Sequence, residues 1–309
     1  RTAFHEEEDD ALAAELLAHR ALQLGHLRLH FPVQLRRQLL AVGVVQVAHI
    51  GGDGEARRHR QSVVAHLGQV GALAAEQRLV VAIALGARRD KTNPPHNPGY
   101  VMLGAAMLWV GWFGFNGGSA LAANGDAGMA MLVTHISAAA GSLAWMTMEW
   151  VKYGKPSVLG IVTGMVAGLG TITPASGFVG PGGALVIGLS AGVICYYATQ
   201  AIKQRWKIDD SLDVFPVHGV GGILGTLLAG IFASDALGVF SGQGYNEGMN
   251  MASQVQVQIV GIVATFVYTA IVTFVLLKLV DAMLGLRIDD EDETMGLDLA
   301  EHDERGYDL

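Results

Sequence analysis

The run DVFPVHGVGGILG, residues 213–225, places an imidazole, His218, among small and apolar side chains that follow the acidic Asp213. An ionisable group inside a membrane helix is costly to bury, which makes it a functional candidate by default. Desolvation favours the uncharged ring, which offers one hydrogen-bond donor and one acceptor. The bland alternative is a ring hydrogen-bonded to a neighbouring helix. His135, in LVTHISAAAG, is assigned to that structural role. A second constellation is GWFGFNGGSALAANG, residues 111–125, where Phe115 and Ser119 stand four apart and so share one helix face. A π-face beside a hydroxyl suits a small cation that donates hydrogen bonds. Aromatic packing, with Ser119 bonded back to its own helix, is the competing explanation.

These residues need elements to carry them, and composition says which. Of 309 residues, 51% are hydrophobic, 16% are charged and 41 are glycine, a balance too apolar for an ordinary soluble domain. Spanning helices are predicted at 100–123, 127–150, 157–178, 182–202, 214–233 and 254–284, preceded by the tail end of another apolar run, LVVAIALG. Glycines recur every fourth residue at Gly160, Gly164 and Gly168, and Gly221, Gly225 and Ala229 repeat the spacing. Such strips let helix backbones close tightly and say nothing by themselves about transport.

Basic residues fall on alternate links: Arg88, Arg89 and Lys91; Lys152 and Lys155; Lys203, Arg205 and Lys207; then Lys278 and Arg287 near the last span. The positive-inside rule puts these links and the C-terminal tail in the cytoplasm. The tail, 287–309, is expected to pack on the basic links, Lys152, Lys203 and Lys207 included. Scattered basic groups and a net charge of −8 exclude a nucleic-acid footprint. One cysteine, Cys195, excludes an internal disulfide. No paired acid-base or nucleophile arrangement and no metal-ligand spacing points to an enzyme or a cofactor.

Residues 1–78 differ in texture. They are rich in Arg, His, Ala, Leu and Gln and lack Lys, Asn, Met, Tyr, Trp and Cys. No stretch in them reaches the roughly 20 apolar residues of a span, so they are expected to form no membrane part. A soluble segment, a disordered tail and translation out of frame are the three explanations; the missing residue types favour the last.

From about residue 79 onward the chain resembles the Amt/Mep/Rh ammonium transporter family, its C-terminal half. The resemblance rests on NPPHN (93–97), GWFGFNGGSALAAN (111–124), GKPS (154–157), ITPASGFVGPGGA (172–184), DDSLDVFPVHGVGGILG (209–225) and GLDLAEHDERGYDL (296–309). It implies an all-α polytopic bundle with about six complete spans at 79–286, fewer than the family's full set, and a cytoplasmic tail at 287–309. By position, His218 matches the second of the paired pore histidines, Phe115 a gate phenylalanine, Ser119 the outer recruitment serine and Asp213 the acidic residue at the inner end of the His218 helix. Gly296, Asp298, His302 and Tyr307 match the regulatory tail, with Asp303 where the family usually has glycine, so the turn there is expected to differ. The family's first pore histidine falls near Gly71, and His66 is out of register. The resemblance further implies ammonium or ammonia as substrate, no cofactor, a homotrimer in lipid of the inner or plasma membrane, and P-II nitrogen-regulatory proteins as tail partners. An ammonium sensor or P-II docking protein without transport is the alternative function.

Overall fold

The computed structural model describes residues 75–89 and 95–305, which fall within one compact unit, Gly52–Leu309. Among the described residues every regular element is a helix. Helix α1 covers residues 75–85. It is followed by α2 (Pro98–Gly118), α3 (Gly125–Tyr153) and α4 (Val158–Ile172), which runs on as a 3₁₀ turn, Thr173–Ala175. Next come α5 (Pro181–Gln200), with a π-helical turn at Ala201–Arg205, and a second π turn, Phe215–Gly219, that opens α6 (Val220–Phe232). The long α7 (Met251–Leu284) and two short tail helices, α8 (Asp290–Met295) and α9 (Leu297–His302), complete the order.

Six of these segments are long and apolar enough to cross a membrane: Pro98–Gly118, Gly125–Tyr153, Val158–Ala175, Pro181–Arg205, Phe215–Phe232 and Met251–Leu284. They match the six predicted spans one for one. Among the described residues α1 is already helical at residue 75, ahead of the compositional boundary, and the buried Glu76 belongs to it. The rest of the 1–78 segment, with His66 and Gly71, lies outside the described residues. Polar caps start the helices where backbone N–H groups would otherwise be orphaned. Asn97 accepts from Tyr100 N–H, Asn124 from Asp126 and Ala127 N–H, and Ser157 from Gly160 N–H; Asn250 and Ser253 cap each other reciprocally at α7. Gly154, with φ 76°, ends α3 in the left-handed region that a side chain would resist.

Helix α3 is the centre of the bundle because glycines on both neighbours let backbones meet it. On α4, a Cβ at Gly164 would collide with Gly141 and Trp145, and one at Gly168 with Ser137 and Ala138. On α5, Gly188 and Gly192 press against Ser137, Ala144 and Gly141 from the other side. Ser137 Oγ donates to Gly168 O at 2.9 Å, so the close approach also satisfies a buried hydroxyl. Gly221 and Gly225 bring α6 onto Thr171 of α4. The predicted strips are thus contact faces, with one exception. The Cβ position of Gly160 is filled by the carboxyl of Glu149.

Among the described residues, core side chains form three clusters around these contacts, of which one joins Ala105, Ala138, Val162, Met165 and Leu169. A second joins Val133, Ile172, Val179, Ile187 and Ala229; the third joins Trp145, Ala167, Ala191, Cys195, Tyr196 and Val217. By contrast, α2 and α7 expose large apolar residues such as Met107, Val110, Val260 and Tyr268. At 34 residues, α7 is roughly 50 Å long by its rise per residue, longer than the hydrocarbon layer is thick.

Candidate functional site

The His218 ring sits in the π turn Phe215–Gly219, where Val220 N–H donates to Phe215 O across one residue more than an α-helix allows. Such turns rotate the side chains they carry and recur at functional sites. The first N–H groups of this segment find acceptors or are absent. Asp210 Oδ2 accepts from Phe215 N–H at 2.7 Å, Pro216 has no N–H, and Val217 N–H donates to Asp213 O at 3.1 Å. The Phe215 ring closes over Gly219, leaving no space for a side chain there.

His218 is half-buried and faces α4, where a Cβ on Gly170 would lie 3.6 Å from its Nδ1. The ring makes no hydrogen bond among the described residues. A purely structural histidine would be expected to spend its donor and acceptor on a neighbouring helix, and this one does not.

Asp213, the acidic residue singled out from the sequence, turns away from the helix it precedes. It has φ 55° and pairs with Lys203 Nζ at 2.8 Å, tying the start of the His218 segment to the π turn that ends α5. Burial pushes its carboxyl above the ordinary carboxylate range, and Lys203 opposes that shift. The carboxylate that does reach the helix is Asp210, which is 0% exposed. The DDSLD run held the signal, because an acid placed just before a helix whose second residue is proline is a natural acceptor for its first N–H groups.

Phe115 and Ser119 share the predicted face near the end of α2. Ser119 Oγ donates to Phe115 O at 2.7 Å, so the hydroxyl is bonded back to its own helix in this structure. The Phe115 ring stands edge-on to Trp112 with centroids 5.9 Å apart. Trp112 in turn donates through Nε1 to Thr173 Oγ1 at 2.8 Å, anchoring α2 to the end of α4. Asn116, not singled out from the sequence, is buried and donates to Thr134 Oγ1 at 2.8 Å. His135 packs between the rings of Trp109 and Phe113, at 5.1 and 5.8 Å.

The tail docks on the first of the basic links, and not on the lysines expected with it. Arg287 donates to Leu85 O and Ala87 O, each at 3.2 Å, and pairs with Glu293. Arg89 pairs with Asp290 and faces Glu293, so the first basic link receives the acidic run. Lys203 is engaged by Asp213, and Lys152 lies over the Tyr153 and Tyr196 rings, which corrects the expectation that those lysines hold the tail. Gly296, φ 98°, joins α8 to α9. Asp298 O accepts from Asp303 N–H, and Asp303 itself adopts the left-handed conformation, φ 51°, that a glycine would take. His302 ends α9, and Tyr307 lies outside the described residues.

Among the described residues no cluster of His, Cys, Asp and Glu has the proximity to hold a metal ion. A multi-span helical bundle, with one unbonded imidazole set in a π turn against a glycine of the next helix, defines a polytopic membrane protein with a polar group inside its spans. The chain belongs to the ammonium transporter family, whose family model matches residues 40–307. That match starts ahead of the compositional boundary near residue 79.

Relatives agree. A putative ammonium transporter of Methanothermobacter thermautotrophicus is 47% identical over 232 residues, covering 75% of this chain and 56% of the relative. An ammonium transporter of Bacillus subtilis is 45% identical, covering 74% and 56%. Among solved structures, a protein titled Sensor Amt Protein superposes with TM-score 0.69 at 31% identity, over 76% of this chain and 59% of that one. Saccharomyces cerevisiae Mep2 gives 0.64 at 37% identity, over 72% and 53%. The chain therefore spans about half the length of the curated relatives it matches.

Proposed function

We propose that this chain forms an ammonium-conducting path, in which His218 is the imidazole that handles ammonia or its proton. The observation that carries the reading is the ring's placement: half-buried in a spanning segment, without a hydrogen bond among the described residues, and with Nδ1 facing Gly170. Bare ammonium is strongly disfavoured in an apolar passage, whereas ammonia crosses if ammonium gives up a proton on entry and ammonia regains one on exit. A neutral imidazole, with one donor and one acceptor, can do both. Potassium ion has no removable proton, so the same passage rejects it. Phe115 and Ser119 belong to the opposite mouth in this reading, with Ser119 rotating from its own helix to meet an incoming cation beside the Phe115 ring.

The tail reading follows from its docking. Held on residues 85–89, it is placed to report the state of the basic end of the bundle to a P-II-type partner. Cytoplasmic placement of that end, in the plasma or inner membrane, follows from its Lys and Arg content, and a homotrimer is the assembly the family membership favours.

The test is flux. The purified chain in proteoliposomes should alkalinise or acidify the lumen in response to an imposed ammonium gradient, in step with the gradient's sign. Equal responses from protein-free and protein-containing vesicles would end the transport reading.

A further inference from the structure

Loop residues 206–213 lie between two π turns, and its acids have separate duties. Asp209 clamps Arg88 through its backbone N–H, Nε and Nη2, at 2.8, 3.1 and 3.1 Å. Asp213 binds Lys203. Asp210 is the only one of the three whose side chain bonds the backbone of the His218 segment itself, at Phe215 N. Its second oxygen, Oδ1, is buried without a hydrogen bond and lies 3.9 Å from Arg78 Nε, too far for a good one. Burying a carboxylate this completely is costly unless the geometry it secures matters.

What it secures can be traced bond by bond. Phe215 is the first residue of the π turn: its N–H is held by Asp210 and its carbonyl accepts the defining bond from Val220 N–H. Displacing that acceptor releases the first N–H of the turn, and α-helical register is the alternative open to it. Losing the one extra residue of the turn would rotate His218 by roughly 100° around the helix axis, given 3.6 residues per turn, and carry the ring off Gly170. The Phe215 ring, locked over Gly219, transmits the same constraint from the side-chain direction.

We propose that Asp210 is a positioning residue for His218, acting through the Phe215 N–H to fix the π turn that aims the imidazole, with the position of the acceptor oxygen and not the negative charge as the operative property. The inference rests on the proposed transport role of His218 only for its functional consequence; its structural consequence stands independently.

Two substitutions separate position from charge. Asp210→Asn keeps an oxygen acceptor at the same reach, with the amide nitrogen turned toward the Arg78 side, and removes the charge. Asp210→Glu keeps the charge and displaces the acceptor by one methylene. Each variant of the full chain is reconstituted with nitrogen-15-labelled histidine, and the His218 ring signal is identified as the one lost in His218→Gln. The expected result is a native, single His218 signal in Asp210→Asn, with ammonium flux within about threefold of the unsubstituted protein, and a shifted or split signal in Asp210→Glu with flux down by about tenfold. The inference is overturned if Asp210→Glu keeps the native signal while Asp210→Asn loses it, if both keep it, or if both lose it alike. A role limited to stability would change melting in the variants and leave the ring signal of the folded protein in place. If the unsubstituted chain carries no ammonium, the ring signals still decide the inference, so its failure and the failure of the transport reading are distinct results.

Discussion

The two ends of the bundle are held by different chemistry. At the basic end the contacts are between charged side chains: Arg88 with Asp209, Lys203 with Asp213, and Arg287 and Arg89 with Glu293 and Asp290. At the opposite end the contacts are backbone to backbone. Gly242 N–H donates to Ser234 O and Gly244 N–H to Ala233 O, each at 2.7 Å, and Gln243 N–H donates to Phe178 O at 2.8 Å. Glycines make this possible, since a Cβ at Gly180 would strike Ser241, one at Gly182 would strike Val239, and one at Gly242 would strike Phe178 and Phe232. Backbone contacts do not titrate and are little screened by salt; exposed ion pairs do both. The basic end is therefore the adjustable one, and the glycine end is the fixed frame.

The sharpest way to break this contrast is to put a side chain into the fixed end. Gly242→Leu should destabilise the protein by about 3 kcal/mol, the upper range for overpacking, because the obstructing atoms are carbonyls of two segments. Thermal melting in detergent measures it, and a melt within a degree of the parent would show that the loop is not a frame.

Next in size is Glu149, an acid at the basic end that holds backbone in place much as the glycine-end contacts do. Its carboxylate fills the space at Gly160 and accepts from Ser157 N–H at 2.7 Å, Ser157 Oγ at 3.2 Å and Trp145 Nε1 at 3.3 Å. Glu149→Ala leaves these donors without an acceptor and should cost about 2 kcal/mol by the same measurement. Tyr245→Phe, which removes the hydroxyl donated to Gly230 O at 2.8 Å and Ile231 O at 3.1 Å, should cost about 1 kcal/mol.

Smallest in stability and largest in responsiveness is the tail latch. Arg287→Ala should leave the melt of the bundle unchanged while making residues 288–305 several-fold more sensitive to protease. The Arg287 guanidinium, with Arg89 N–H behind it, holds the Glu293 carboxyl below its ordinary value of 4.5. A carboxyl lowered in the docked state stabilises docking above that ordinary value and stops doing so as pH falls through the lowered one. Docking should accordingly persist at neutral pH and weaken only below about pH 4.5, with Glu293→Gln reducing the pH dependence. Protease sensitivity that rises instead between pH 6 and 8 would assign the latch to another group.

How much of this was legible beforehand depends on the type of contact. The six spans were readable because apolar length is a property of consecutive residues, and the span starts agree closely with Pro98, Gly125, Val158, Pro181, Phe215 and Met251. The end of α2 at Gly118, short of the predicted 123, was not, because the turn that follows uses Leu121 at φ 56° rather than a glycine or proline that would announce it. Gly164, Gly168, Gly221 and Gly225 declare their packing by spacing, while Gly160 misleads because a carboxylate from the end of the preceding helix fills its place. His218 was visible as a polar residue in an apolar run. Its π turn was not, since an extra residue in a helix leaves no periodic mark over five positions. Asp210 and Asp213 stand in the same short run, and only coordinates show which of them reaches the backbone. The tail's choice of residues 85–89 over the lysines is likewise a long-range pairing, made between groups about two hundred positions apart.

The central claim is that the unbonded imidazole in the π turn handles the substrate rather than the packing. Its most direct test is ammonium flux through the full chain carrying His218→Ala, measured beside potassium flux and a thermal melt. The ring lies against glycines and bonds nothing among the described residues, so the account predicts an unchanged melt with ammonium flux cut at least tenfold, or selectivity over potassium lost. Native flux and native selectivity in a folded His218→Ala protein would contradict it.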